Sequence, residues 1–454
     1  MEDQTEPLPH DALASILRRL PPRDLAASRC VRKTWRAVVD AHRLLLPHVL
    51  PHSVHGIFVN YIDYDRSHCL SRPSAQHKPL IDGNLLDRFM HGYTTRYNRV
   101  IDHCNGLLLY EDSTGPYVVN PATRRWDCLH CCKDYVGRAY LVFDPAVSPH
   151  YHLFFIPDVP NDPHDSMEWP PSLWTLSVFS SSTRQEERRS FVRQGEAVCT
   201  VTSVWVDPRK PESVYHGGPR RRYGVYWGGS LYVHCRGAFV ARFCLSSGKY
   251  EVFKIPGDIG ESKNMQYLGK SERGVSLATI YDDRLRVSHL VESDGQTDWV
   301  VNHHVDLMPL TSLAWQDLSG FNKTSWILDD GDVEGRGEEE KGVGEAQEQK
   351  GRKNNGMQMG ETMEWNSDDE NVVNIEDDST IYGANIYFLG FHPYRDAILL
   401  GLSLDLAVAY HLKSSKIQYL GNLWPKDYNN GPCSGMFEAF PYTPCMIGEL
   451  GKHA

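Results

Sequence analysis

The residues of this chain best equipped for chemistry are Cys128, His130, Cys131 and Cys132, with Cys104 upstream, because thiolates and imidazole are the ligands a tetrahedral zinc takes. Their spacing argues against a metal centre. On a strand Cys128, His130 and Cys132 share a face, but the outer two stand ~13 Å apart at ~3.3 Å per residue, too far to converge on bonds of ~2.3 Å. Core thiols beside a strand histidine is the reading the spacing supports, so neither a metal nor a cofactor is expected. The sequence has no G-x-S-x-G elbow and no H-E-x-x-H pair. Gly269-Lys270-Ser271 has Asn264 where a phosphate-binding loop needs its first glycine. With 21 histidines and 58 carboxylates, chance pairs are certain, and none nominates a base or a nucleophile. No catalytic residue is therefore expected. Trp227, Trp315 and Trp424 are candidates for a recognition pocket, although single tryptophans in a β domain more often fill its core.

The elements that position these residues come from a chain of 454 residues, enough for a small module and one large domain. At 41% apolar and 23% charged residues, most of it should fold. The net charge of −11 is uneven: residues 329–378 hold 17 acidic and 5 basic side chains, a net −12 that leaves +1 for the rest. A nearly neutral folded part lacks the basic face a general nucleic-acid binder needs. The first residues, MEDQTEP, are acidic where a signal peptide is basic. The longest apolar stretch, Ala397 to Leu412, contains Asp405 and falls short of the ~20 residues that span a bilayer. Eleven cysteines, an odd number, point to free thiols in a reducing compartment, so an intracellular protein of the cytoplasm or nucleus, without a membrane segment, is expected.

Residues 6–48 read as three short helices. Leu13, Ile16, Leu17 and Leu20 fall at i, i+3, i+4 and i+7, and Pro21-Pro22 ends that helix. Asp24 can cap the second, and Val31, Trp35, Val38, Val39 and His42 stripe the third. So few residues cannot bury all these side chains among themselves, so a neighbouring domain or a partner must cover the remainder. The order Leu8-Pro9-x-Asp11, Ile16-Leu17, Leu20-Pro21, Asp24-Leu25, Arg29-Cys30-Val31-x-Lys33-x-Trp35 resembles the F-box, the adaptor-binding module of cullin-RING ubiquitin ligases. One departure is Arg32, where the family often has Cys or Ser. The resemblance implies that Leu8, Pro9, Ile16, Leu17, Leu20, Pro21, Leu25, Val31 and Trp35 lie in or just under an adaptor interface.

From Ile57 onward the period changes from 3.6 toward 2, in short runs such as Leu107-Leu108-Leu109-Tyr110 and Tyr250-Glu251-Val252-Phe253. Four units keep one internal length: Gly106 to Thr123 is 17 residues, Gly229 to Ser247 is 18, Gly274 to Ser293 is 19 and Asp396 to Ser414 is 18. Each hairpin precedes an aromatic, namely Trp126, Tyr250, Trp299 and Tyr419, and Ser181 to Arg184 marks a fifth unit. Recurring hairpin units predict an all-β propeller, with a β-sandwich or an incomplete propeller as the alternative. Counting a closing blade built from Ile57 to Leu70 and the C-terminal segment gives six blades, or seven. The unit resembles the kelch-like repeat of F-box-associated domains in plant F-box proteins, and CNGLLLY and NPATRRW (104–110, 120–126) are similar to what opens them. The expected domains are 55–328 and 379–448, separated by an acidic insert, 329–378. That insert is too poor in apolar residues to offset its ordering entropy and is expected to be disordered.

The two resemblances together imply a non-catalytic substrate receptor of an SCF-type ligase, bound to its adaptor and through it to a cullin, with the β domain holding a target protein. The alternatives are an adaptor-bound scaffold without ubiquitin transfer, and a propeller enzyme or sugar-binding module.

Overall fold

In a computed structural model of the chain, the described residues are 8–20, 22–29, 31–45, 50–62, 66–74, 78–81, 83, 99–112, 115–129, 137–160, 167–206, 223–256, 265–281, 283–293, 295–311, 313, 325–329, 371–373, 385–403, 405–426, 428 and 435–447. Pro21, the His130-Cys131-Cys132 run, Trp315 and nearly all of the acidic insert lie outside them.

Three helices come first, α1 (His10–Leu17), α2 (Pro22–Ser28) and α3 (Lys33–Ala41), with α3 packed on both others. Leu13, Ala14 and Leu17 of α1, Leu25 of α2, Val38 and Val39 of α3 and the following Leu44 close a small core. At ~100° per residue Ile16 lies on the flank of the Leu13/Leu17 face rather than on it, which is why it is exposed while its neighbour is buried.

The strands follow. β1 (Gly56–Tyr61) and β2 (Ser67–Ser71) precede β3 (Arg99–Cys104), β4 (Leu107–Asp112), β5 (Gly115–Asn120) and β6 (Arg125–Cys128). Next come β7 (Arg138–Val142), β8 (His152–Ile156), β9 (Glu168–Trp169), β10 (Leu173–Ser180), β11 (Gln185–Arg193) and β12 (Cys199–Thr200), then the short helix α4 (Val201–Val206). After it run β13 (Gly224–Trp227), β14 (Ser230–Cys235), β15 (Phe239–Cys244), β16 (Lys249–Lys254), β17 (Met265–Ser271), β18 (Gly274–Tyr281), β19 (Arg284–Ser293) and β20 (Gln296–Asp306). A turn of helix, α5 (Met308–Thr311), leads to β21 (Ile327–Leu328) and β22 (Val372–Val373). The last strands are β23 (Ile386–Phe391), β24 (Ala397–Leu402), β25 (Leu406–His411), β26 (Ile417–Asn422) and β27 (Met436–Tyr442).

Among the described residues, pairing sorts them into six antiparallel four-stranded units and one small pair, β9 with β12: β3 to β6; β7, β8, β10 and β11; β13 to β16; β17 to β20; β23 to β26, with β22 added outside; and β27, β1, β2 and β21. The second and third units join through parallel pairing of Val192 with Lys249 and Arg193 with Tyr250, making one eight-stranded sheet. In the last unit the C-terminal β27 pairs with β1 from Gly56↔Tyr442 to Tyr61↔Met436, so strands from both ends of the domain share one sheet. The first strands of the units neighbour one another in a closed circuit: β27 beside β3, then β7, β13, β17, β23 and β27 again.

The core is divided in the same way. Six apolar clusters each draw on two neighbouring units. Side chains alternate along a strand, so β4 sends Leu107 and Leu109 to one cluster and Leu108 and Tyr110 to the next. Both faces of such a strand are buried, and that explains unbroken apolar runs like Leu107-Leu108-Leu109-Tyr110. The fourth-strand aromatics Tyr250, Trp299 and Tyr419 lie in these clusters, with Trp126 packed against a fourth.

The residues expected to be disordered are structured at the edges of the insert. Asp329 accepts the Gly83 N–H on its carboxylate at 2.9 Å and donates its own N–H to the Cys69 carbonyl at 2.9 Å. Val372 and Val373 pair with Gln418 and Ile417 on β26. Residues 330–370 and 374–378 of the insert lie outside the described residues.

Candidate functional site

Two places combine exposure with specific chemistry. The first is the helical module. Of the nine side chains singled out there, Leu8, Ile16 and Val31 are 55%, 50% and 59% exposed, and Pro9 is exposed beside Leu8. Leu20 and Trp35 are half-buried at the edge of the core. Leu17 and Leu25 are 1% and 0% exposed, filling that core, and so would lie under an interface rather than in it. Leu8, Ile16 and Val31 are thus large apolar side chains left in water after the module's core has closed. Arg29 pairs with Asp40 at 2.9 Å on the surface, tying the end of α2 to α3.

The second place is a cavity of about 100 Å³ inside the circuit of first strands, lined from all six units. Its mouth is made at the C-terminal ends of those strands. Asn105 and Gly106, at φ 44° and 88°, form the two-residue turn from β3 to β4 that an Asn-Gly pair favours. A Cβ at Gly106 would stand 2.5 Å from the Cβ of Cys445, so only glycine lets the C-terminal segment pass this turn. The turn aims the Asn105 amide inward. Its Nδ2 donates to the Phe143 carbonyl at 2.7 Å, and its Oδ1 accepts from Lys270 Nζ at 3.1 Å.

Lys270, near the end of β17, carries its ammonium 5.3 Å from the centre of the Trp227 ring and 5.6 Å from that of Tyr394. His52 stacks on the far side of this corner, 4.6 Å from the Tyr394 ring. Burial pulls the Lys270 ammonium below the ordinary lysine range, and the charge of Asp144 offsets this only in part. The remaining neighbours are neutral at pH 7. Enclosure, and after it the Lys270 charge, holds His103 down at about 4. Burial pushes the Tyr394 phenol and the Cys104 thiol up to about 12. The cavity's acidic groups lie deeper: Asp102 accepts the Leu141 N–H at 2.7 Å, and Glu438 lies three residues, or ~10 Å of strand, before Pro441.

Of the tryptophans considered as recognition residues, Trp227 stands at this mouth, 39% exposed, and Trp424 packs with Tyr428 at the edge of a core cluster. Cys128 ends β6. Lys270 and Asn105 were not singled out by the sequence as binding residues. The one signal pointing to them was a lysine at the end of an otherwise uncharged strand, facing an Asn-Gly turn.

Residues 7–46 match the F-box domain model over the whole three-helix module. The chain carries an F-box domain. A curated Arabidopsis thaliana relative, F-box protein At5g07610, is 22% identical over 334 residues, covering 66% of this chain and 71% of its own length. Among solved structures, the one titled YCF48 bound to D1 peptide is similar at 8% identity with a TM-score of 0.33, covering 82% of each chain. KlHsv2 with loop 6CD replaced by a Gly-Ser linker is similar at 12% identity with a TM-score of 0.25, covering 45% of this chain and 57% of its own. Scores this low carry no argument. An F-box domain generally implies the substrate-receptor role in an SCF-type ubiquitin ligase, a role without chemistry of its own. Among the described residues no helix is long and apolar enough to cross a membrane.

Proposed function

We propose that this chain is the substrate receptor of an SCF-type ubiquitin ligase, its F-box domain fixing it to the adaptor, and through the adaptor to the cullin, while the β domain holds a target protein. One observation carries the reading. Leu8, Ile16 and Val31 stay in water on a module whose core is already closed by Leu13, Leu17, Leu25, Val38 and Val39. Covering the exposed half of each such side chain is worth on the order of 1 kcal/mol. In this reading Leu8, Pro9, Ile16 and Val31 touch the adaptor, Leu20, Pro21 and Trp35 border the contact, and Leu17 and Leu25 brace it from beneath. Catalysis belongs to the ligase partners, and the receptor contributes proximity.

The β domain is read as a six-bladed propeller of the kelch-like, F-box-associated kind found in plants. The six units, the closed circuit of their first strands and the six clusters between neighbours support it. The pairing of β27 with β1 is the joint such a ring needs. The acidic insert separates the strands of the last two units, and the protein is read as working in the cytoplasm or nucleus. The test is target turnover. Proteins that co-purify with the chain should accumulate when its gene is deleted and fall again when the intact chain is restored, but not when a chain lacking residues 6–48 is. Unchanged levels of every co-purifying protein would contradict the receptor role.

A further inference from the structure

Resting on the receptor reading, we propose that the mouth of the central cavity captures a carboxylate of the target polypeptide, an acidic side chain or a C-terminus, on Lys270 Nζ between the rings of Trp227 and Tyr394. The ammonium has three donors, and one is used, on Asn105 Oδ1. Among the described residues no carboxylate comes within ion-pair distance of it. Asp144, the acid within electrostatic reach, accepts the Ala146 N–H at 2.9 Å in its own turn. A half-enclosed cation without a counter-ion costs stability, and an incoming carboxylate turns that cost into binding. The rings beside it favour an ion pair over a hydrated charge, since they exclude water from one side of the ammonium.

Size decides what carries the carboxylate. The cavity encloses about 100 Å³, below the ~300 Å³ at which sites for drug-sized ligands begin, yet enough for one side chain. The cation stands at the mouth and the buried acids Asp102 and Glu438 lie below, so the anionic group stops at the rim while the rest of the polypeptide stays outside. Apart from the acidic segment the chain is nearly neutral, and discrimination therefore rests on one placed charge rather than on a general field.

The experiment uses the full chain co-purified with its adaptor and an immobilised library of random-sequence peptides, with free glutarate as the small-acid probe. Peptides retained by the wild type should be enriched in Asp, Glu or a free C-terminus, and should lose at least tenfold in affinity when that group is made an amide. Lys270→Met should lose the same peptides, and Lys270→Arg should keep part of the affinity. Both variants should fold; Lys270→Met loses the bond to Asn105 Oδ1 but also removes a partly buried charge, so its melting temperature should stay within a few degrees of wild type. Retained peptides without acidic enrichment, no retained peptides, or unchanged retention by Lys270→Met would overturn the proposal. So would micromolar binding of glutarate without peptide retention, which would place a small acid in the site. Adaptor capture is read on the same preparations, so a failure of the receptor reading shows there and a failure of this site shows in the peptides.

Discussion

Lys270 Nζ donates to Asn105 Oδ1 at 3.1 Å across the mouth of the cavity, joining residues 165 positions apart, while the other end of the same amide donates to the Phe143 carbonyl at 2.7 Å. One side chain in a tight turn thereby ties three of the six units together.

Asn105→Ala is accordingly expected to cost about 1–3 kcal/mol. It leaves the Phe143 carbonyl and the Lys270 ammonium each short of a partner, and alanine tolerates the positive φ less well. Urea denaturation of the full chain measures it. A change under about 0.5 kcal/mol would mean that the turn is held by Gly106 alone.

The sequence disclosed the helical module because Leu-Pro punctuation and i, i+3, i+4 spacing are local signals, and the F-box match at 7–46 covers the same helices. It blurred the module's inside and outside, since Ile16 and Leu17 are adjacent in sequence but ~100° apart around α1. The hairpins were legible for the same local reason: Arg124, Arg184 and Ser415 take the positive φ their turns demand. What escaped was non-local. β21 and β22 are two residues long, too short for any periodicity, yet Leu328 pairs with Leu70 and Val373 with Ile417. Lys270 read only as part of a failed phosphate loop, because its partners come from two turns and a strand end in three other units.

β21 ends just before the acidic segment and β22 lies within it. Removing residues 331–368 and closing the gap with a short Gly-Ser linker should move the melting temperature by no more than a few degrees, since closure entropy varies slowly with loop length. Extending the deletion to 329–378 should cost several degrees more, because it removes the Asp329 hydrogen bonds to Gly83 and Cys69 and the β22 pairing. Equal melting temperatures for both deletions would show that these contacts contribute nothing.

Acid should weaken the β domain through its buried histidines, His55 and His392 among them. Burial, and after it the Arg72 charge, lowers His55 to about 4, and burial with Arg395 lowers His392 to about 3. The folded state therefore binds these protons less readily than the unfolded chain, whose histidines titrate near 6.5. Their contribution is fully present above pH 6.5 and is lost as the pH falls toward 4 and 3, at up to about 1.4 kcal/mol per pH unit for each. His392 also accepts the Tyr394 N–H on Nδ1 at 3.2 Å, a bond that protonation there removes. Urea midpoints measured from pH 8 to 5 should be flat above 6.5 and fall below it, and His392→Asn, which keeps an acceptor, should flatten the fall. A stability independent of pH between 7 and 5 would contradict this.

The central claim is that the F-box face holds an adaptor while its core only supports that face, and adaptor capture in vitro tests it most directly. Purified wild-type chain, Ile16→Arg and Val31→Arg would be titrated against recombinant adaptor, with Leu17→Ala as the core control. Ile16 and Val31 are half exposed or more, so arginine there should leave the module folded and weaken capture at least ~100-fold by placing an unpaired charge in an apolar contact. Leu17→Ala should instead cost the module about 2–5 kcal/mol of stability, and capture only as far as the module unfolds. Wild-type affinity in both arginine variants, with their helices intact by circular dichroism, would contradict the account.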